Sequence, residues 1–264
     1  VISHNFAMYF QKGFFMINSN TFSNFNSKYP IYADLHTHSI SSGHGSEDTI
    51  TDMIRCASES GLSLFGISDH GPATSSSAKP SYFQSLKLAD RDRFGIRVLY
   101  GAELNIINTA GDVDLDDEIL SALDYAIISI HPPIFKPYHD KDLSSAYIRA
   151  MDHPKVRFLG HIDDARFPVD FEYLLEIAKE KHVYPEINNG SLMPDAYRIN
   201  GQENCRRILS ICKKLDLPVL LSSDSHGKKN IGNMQYIFPL LEELDFPAHL
   251  VLNSDLSALS EIIR

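Results

Sequence analysis

Cysteine and net positive charge are both scarce in this chain. Cys56, Cys205 and Cys212 are its only cysteines in 264 residues, an odd and sparse set that excludes the disulfide framework of a small secreted domain. All three fall in stretches that read as helices, where small buried side chains are the expectation. Lysine and arginine number 24 against 34 acidic residues, a formal net charge of -10, which argues against a broad nucleic-acid surface. No apolar run approaches the roughly 20 residues needed to span a bilayer, so no membrane partner is expected. Segment 1–29 carries Phe6, Phe10, Phe14, Phe15 and an Asn/Ser-rich tract, but has no basic start, long apolar centre or small-residue cleavage site. A soluble, cytoplasmic protein is expected, with 1–30 as an extension outside the core and 31–264 as one domain.

Two further motifs are incomplete. Gly43-His44-Gly45 has no Gly-Lys-Ser/Thr ending and so builds no phosphate loop. The alternating Asp112, Asp114, Asp116 and Glu118 lack the twelve-residue pattern of an EF-hand, leaving a solvated turn and helix start as the expectation.

What is present is a regular alternation of short apolar runs with longer amphipathic ones, the mark of repeated strand-helix units. Strands are expected over 31–35, 62–68, 96–102, 124–130, 156–160, 183–187 and 217–222. Helices are expected near 47–60, 82–93, 141–151, 170–182, 202–215, 233–244 and 255–263. A chain of this length suits one α/β barrel.

Nearly every expected strand ends in a histidine or carboxylate. Ala33-Asp34-Leu35 leads to His36-Thr37-His38, Ser68 to Asp69 and His70, Gly101-Ala102 to Glu103, and Ile130 to His131. Gly160 leads to His161, Ile187 follows Glu186, and Ser223 leads to Asp224 and His226, with His44 following the first strand. Parallel strands closing into a barrel bring their C-terminal ends to one rim, where such folds carry catalytic side chains. Imidazoles and carboxylates gathered there suit several zinc, manganese or iron ions. Residues two apart in an extended strand point the same way, so His36 and His38 can reach one ion. His4, His153, His182 and His249 lie outside this pattern and read as surface or packing residues.

These segments resemble the PHP (polymerase and histidinol phosphatase) domain hydrolases, over about residues 31–264. The resemblance rests on Asp34-Leu35-His36-Thr37-His38 with His44, Ser68-Asp69-His70-Gly71-Pro72, Gly101-Ala102-Glu103, Ser129-Ile130-His131, Gly160-His161, Glu186-Ile187-Asn188-Asn189 and Ser223-Asp224-Ser225-His226. It is nearest to the free-standing bacterial phosphatase-like branch. It implies a distorted (βα)7 TIM-like barrel with the active site at the C-terminal ends of the strands and a trinuclear metal centre, most readily zinc, with manganese or iron as alternatives. By the same resemblance, His36, His38, Glu103 and Asp224 hold one ion, and Glu103 bridges to a second held by His131 and His161. His44, His70 and His226 hold the third.

The expected reaction is hydrolysis of a small-molecule phosphate monoester by metal-activated hydroxide, since adjacent divalent ions bring water toward neutral pKa and offset phosphoryl charge. Asp69, beside His70, is a candidate for orienting a ligand or for acid/base work. Arg166, Lys136 and His139, on loops after strand ends, are candidates for substrate binding. Histidinol-phosphate phosphatase activity is the main alternative within this chemistry. C–N bond hydrolysis fits less well, since no lysine ends a strand. From another class, the chain could be a non-catalytic metal-binding or polymerase-associated module, against which the full ligand set counts.

Overall fold

Each of the seven apolar runs contributes a parallel strand to one curved sheet. The computed structural model describes residues 26–132, 134–135 and 141–264. Its strands are β1 (Ala33–Asp34), β2 (Thr37–His38), β3 (Leu64–Ile67), β4 (Asp92–Arg93), β5 (Ile96–Asn105), β6 (Tyr125–Ser129), β7 (Val156–Leu159), β8 (Tyr184–Asn188), β9 (Leu220–Ser222) and β10 (Ser225–His226). The main order is β1-β3-β5-β6-β7-β8-β9, with β2 and β10 forming a separate parallel pair. The result is a nearly closed, distorted TIM-like barrel of seven strands with helices between them.

Period-two alternation separates two apolar layers. Tyr125 and Ile127 of β6 join Ala33, Leu35, Leu64, Leu99, Phe158 and Leu220 inside the barrel. Ala126 and Ile128 pack outward with the helices. Tyr125 fills the interior because its neighbours are glycines: a Cβ on Gly101 would lie 2.8 Å from the Tyr125 ring. Its hydroxyl donates to the Leu35 carbonyl at 2.5 Å. Leu259 and Ile263 of α8 (Leu256–Ile263) join this interior cluster, whose β3 and β5 members, Leu64 and Leu99, lie toward the N-terminal ends of their strands.

The helices start where capping chemistry permits. Thr49 and Asp52 form a reciprocal capping box for α1 (Ile50–Glu59), satisfying two orphan N–H groups. Asp170 accepts from Tyr173 N at 3.2 Å to begin α5 (Phe171–Glu180). Cys205 and Cys212 are buried on α6 (Gly201–Leu215), and Cys56 is half-buried on α1. Shorter helices are α3 (Asp117–Leu120), α4 (Ser144–Ala150) and α7 (Phe238–Glu243), the last starting later than expected, where Pro239 suits a first turn.

The expected helix over 82–93 is the main local departure. Helix α2 spans Pro80–Ser85, a 3-10 turn follows at Leu86–Leu88, and the chain then reverses as β4 pairs antiparallel with β5. Asp90 Oδ1 accepts from Asp92 N at 3.1 Å, and Phe94 and Gly95 adopt φ of 50° and 80°. An Asx-type bond followed by left-handed residues makes a hairpin, which no helix accommodates. Tyr29, counted with the extension on sequence grounds, belongs to the core: it is fully buried and its hydroxyl donates to Phe246 O at 2.8 Å.

No strand pairing joins β9 to β1, and Asn253 spans that gap. Its Oδ1 accepts from Leu221 N at 2.8 Å, while Nδ2 donates to Leu221 O at 2.7 Å and to Ala33 O at 2.8 Å. Its own carbonyl accepts from Tyr32 N at 3.0 Å. Nearer the rim, β10 beside β2 closes the same seam, pairing His226 with His38. Replacing Asn253 with alanine strands one buried donor and two buried acceptors, each costing on the order of 1–3 kcal/mol. We expect Asn253→Ala to lose about 3 kcal/mol in urea unfolding; a loss below about 1 kcal/mol would contradict this closure.

Candidate metal centre

The rim gathers His36, His38, His70, Glu103, His131, His161, Asp224 and His226, with His44 stacked at its edge. Glu103 lies within β5, which runs on to Asn105 instead of ending at 102. Its side chain is 1% exposed. Glu103 Oε2 lies 2.6 Å from His70 Nδ1, 3.4 Å from His36 Nε2 and 3.6 Å from His38 Nε2. Glu103 Oε1 lies 2.8 Å from His161 Nε2 and 3.3 Å from His131 Nε2. Asp224 Oδ1 lies 3.1 Å from His38 Nε2 and 3.7 Å from His36 Nε2. The His44 ring sits 4.8 Å from that of His70 and 5.1 Å from that of His226.

Hydrogen bonds from behind fix which ring nitrogen faces inward. His36 Nδ1 donates to Glu186 Oε1 at 2.5 Å. Ser42 Oγ donates to Asp69 Oδ1 at 2.7 Å, so His38 Nδ1 donates to Ser42 Oγ at 3.0 Å. His131 Nδ1 donates to Asn105 Oδ1 at 2.7 Å, and His226 Nδ1 to the Asp224 carbonyl at 3.1 Å. An imidazole carrying its proton on Nδ1 offers Nε2 as a lone pair, the arrangement that ligating histidines adopt.

Charge distribution follows from burial and crowding. For His36, burial opposes the charged form, but Glu186, Glu103 and Asp224 outweigh it and hold the imidazolium well above its ordinary pKa. His38 goes the other way: burial, with His70 and His226 nearby, holds it well below. Burial would raise Glu103, but His131, His36 and His70 draw it well below the usual carboxylate range. Asp224 is likewise lowered against its burial, by His36 and Arg198.

The donor atoms fit divalent cations by a direct test. His36 Nε2, His38 Nε2, His70 Nδ1 and Glu103 Oε2 are buried without a hydrogen-bond partner, a costly state for polar atoms in a core. Among the described residues, three sets of potential ligand atoms, these four included, converge within 4.8 Å: His36, His38 and Glu103; His70, Glu103 and His131; and His38, His70 and His226. His161 and Asp224 also sit in unusual backbone, with φ of 29° and 52°, strain of a kind that clusters at functional positions.

The remaining candidates separate. Asp69 is fully buried and its carboxylate accepts from Ser39 N, Ser39 Oγ, Ser42 Oγ and Tyr82 OH at 2.5–2.8 Å. It touches His38 only through Ser42. Arg166 grips Asp164, with Nη2 at 2.5 Å from Oδ2, and its guanidinium lies 4.1 Å above the Tyr197 ring. Lys136 and His139 lie outside the described residues. Glu186 holds His36 and accepts from His161 N at 2.7 Å. Arg198 went unnoticed in sequence: its Nη2 donates to Asp224 Oδ2 at 2.8 Å, yet it lies in an irregular loop with no periodic signal. Asn105 could have been found, standing two residues after Glu103 on the same strand face.

Residues 34–190 match the PHP domain family. The chain belongs to that family. A Clostridium acetobutylicum protein named a probable phosphatase is 36% identical over 231 residues, covering 88% of this chain and 93% of the relative. An Acetivibrio thermocellus protein of the same name is 34% identical over 231 residues, covering 88% and 94%. The crystal structure of histidinol phosphate phosphatase from Lactococcus lactis, complexed with zinc, L-histidinol and phosphate, has a TM-score of 0.57 at 20% identity, covering 81% of this PHP domain chain and 94% of that one. At that identity the likeness shows the fold.

If this rim takes up metal through His36 Nε2, which faces Glu103 and Asp224, that uptake displaces a proton. Since the imidazolium is held above its ordinary pKa of about 6.5, zinc affinity of the chelator-stripped protein should rise as pH rises through neutrality, with protons released on binding. Calorimetry in buffers of different ionisation enthalpy measures this; a pH-independent affinity without proton release would contradict it.

Proposed function

We propose that this PHP domain is a metal-dependent phosphatase that hydrolyses a small phosphate monoester through a trinuclear centre. The observation that carries the reading is the convergence of three buried, unpartnered imidazole nitrogens on the equally unpartnered Oε2 of one carboxylate, Glu103. His36, His38, Glu103 and Asp224 hold one ion; Glu103, His131 and His161 a second; His44, His70 and His226 the third. Zinc suits this set, and manganese and iron also suit imidazole-carboxylate shells. The contact of His70 with Glu103 supports a shared carboxylate, because one oxygen then serves neighbouring positions. The relatives named as phosphatases support the activity.

Bound divalent ions supply the Lewis acidity that phosphate-ester hydrolysis needs, lowering the pKa of water and offsetting phosphoryl charge. The chain's residues hold the geometry. Glu186 orients His36 and braces the backbone of His161. Asp69 orients His38 through Ser42. Arg198 keeps Asp224 ionised and aimed inward. Arg166, which pairs with Asp164 and stacks on Tyr197, is the described candidate for substrate binding, with Lys136 and His139 as further candidates from the sequence.

Phosphate release from an aryl phosphate by wild type and His36→Ala, each reconstituted with zinc or manganese, tests the class. A loss of more than about a hundredfold is expected, since the ligand acts directly and even outer partners cost 10–100-fold. Equal release would contradict catalysis here, and no release from either would favour a non-catalytic module. Histidinol phosphate assayed beside sugar phosphates and nucleotides then decides the substrate.

A further inference from the structure

The acidic stretch 112–118 reads in sequence as a solvated turn, but Asp114 is turned inward. After β5 the chain doubles back, with Ile106 bridged to Val113 and Ile107 N donating to Asp112 O at 2.9 Å. This brings the Asp114 carboxylate behind the metal centre. Asp114 Oδ1 accepts from Asn105 N at 2.9 Å; Oδ2 accepts from Asn105 Nδ2 at 2.6 Å and from Ala73 N at 2.9 Å. A methyl group on Gly71 would collide with this carboxylate. By contrast, the Asp112 carboxylate meets only exposed Asn108, at 2.7 Å.

Two strand-end segments therefore meet at Asp114, and a third is reached through Asn105. Asn105 follows Glu103 by two residues and contacts His131. The 71–74 turn follows His70, and Gly71 N donates to Glu103 O at 2.8 Å. Those segments carry His70, Glu103 and His131, one of the three convergent donor sets. The amide of Asn105 has a single productive orientation. With Nδ2 donating to Asp114, Oδ1 faces His131 Nδ1 and requires the proton there, leaving Nε2 free toward Glu103 Oε1.

We propose that Asp114 is a positioning residue for the metal centre: through Asn105 it sets the tautomer of His131, and through the 71–74 turn it sets the seat of His70. This rests on the reading that Glu103 and His131 hold one ion with His161 and that His70 holds a neighbouring one. Asparagine at 114 keeps the shape but replaces one acceptor oxygen with a donor, so three N–H donors face a single acceptor. The Asn105 amide then gains by flipping. Its NH2 group would meet Nδ1 of His131, favouring the Nε2–H tautomer that cannot ligate. Asn105→Ala cuts the relay while leaving Asp114 its bond to Ala73 N.

The test compares zinc uptake by the full chain as wild type, Asp114→Asn, Asn105→Ala and the control Asp112→Ala, by equilibrium dialysis against buffered free zinc. Asn105→Ala should need 10–100-fold more free zinc to fill the one equivalent that His131 holds, Asp114→Asn should need as much for the two equivalents that His131 and His70 hold, with the remaining equivalents unchanged, and the control should match wild type. In parallel, 15N chemical shifts of the His131 ring in stripped protein should report Nδ1–H in wild type and its loss in Asp114→Asn. Variants with wild-type uptake and tautomer overturn the proposal. So do variants that lose all equivalents together with a lowered melting temperature, since that marks a merely structural role. A wild type that takes up no zinc contradicts the underlying metal reading, which separates the two failures.

Discussion

One buried carboxylate sets the terms for the rim of this barrel. Glu103 points both oxygens at five imidazoles from four other strand ends, at 2.6–3.6 Å. An ionised carboxylate so deeply buried is costly unless cations or strong donors surround it. Imidazolium can supply part of that charge, as His36 does. But imidazoles cannot all be protonated at such spacing: His38 is held well below its ordinary pKa, first by burial and then by His70 and His226. Divalent cations resolve the conflict, because they neutralise the carboxylate and use the neutral imidazole lone pairs that the crowding favours.

The barrel exists in the form that this arrangement requires. Its seam between β9 and β1 is bridged by a side chain, Asn253, and by the short β2–β10 pairing that carries His38 and His226. Asp34 ties the same seam, accepting from Ser223 Oγ at 2.5 Å and Gly232 N at 2.8 Å. Burial pushes its carboxyl up to about 6 even so. The imperfect closure lets the chain after β1 and after β9 turn inward and deliver His36, His38, Asp224 and His226 from adjoining segments. A regular eight-stranded barrel would pair those segments along their length.

Much of this was legible in sequence because strand ends are marked by composition. Short apolar runs, nearly every one with His, Asp or Glu at its end, located all seven barrel strands and brought the rim residues out together. Less legible were features carried by single polar side chains in irregular backbone. Nothing in the sequence distinguishes Asn253 from any loop asparagine, and its role needs the two strands it bridges. Arg198 reaches Asp224 from a loop without periodicity. Asp114 sits in an acidic run whose neighbours are solvated, and only the reversal after β5 turns it inward. The helix expected over 82–93 failed because Asp90, Phe94 and Gly95 favour a hairpin locally, and helical periodicity does not register such turn chemistry.

The central claim is that residues remote in sequence meet to hold a cluster of cations. Anomalous diffraction from a crystal of the full chain grown with zinc, recorded on both sides of the zinc absorption edge, tests it most directly. The account predicts three peaks at the rim, each within about 2.0–2.3 Å of His nitrogens or carboxylate oxygens, with Glu103 touching two. Peaks confined to the outer surface, or none near Glu103, would contradict it.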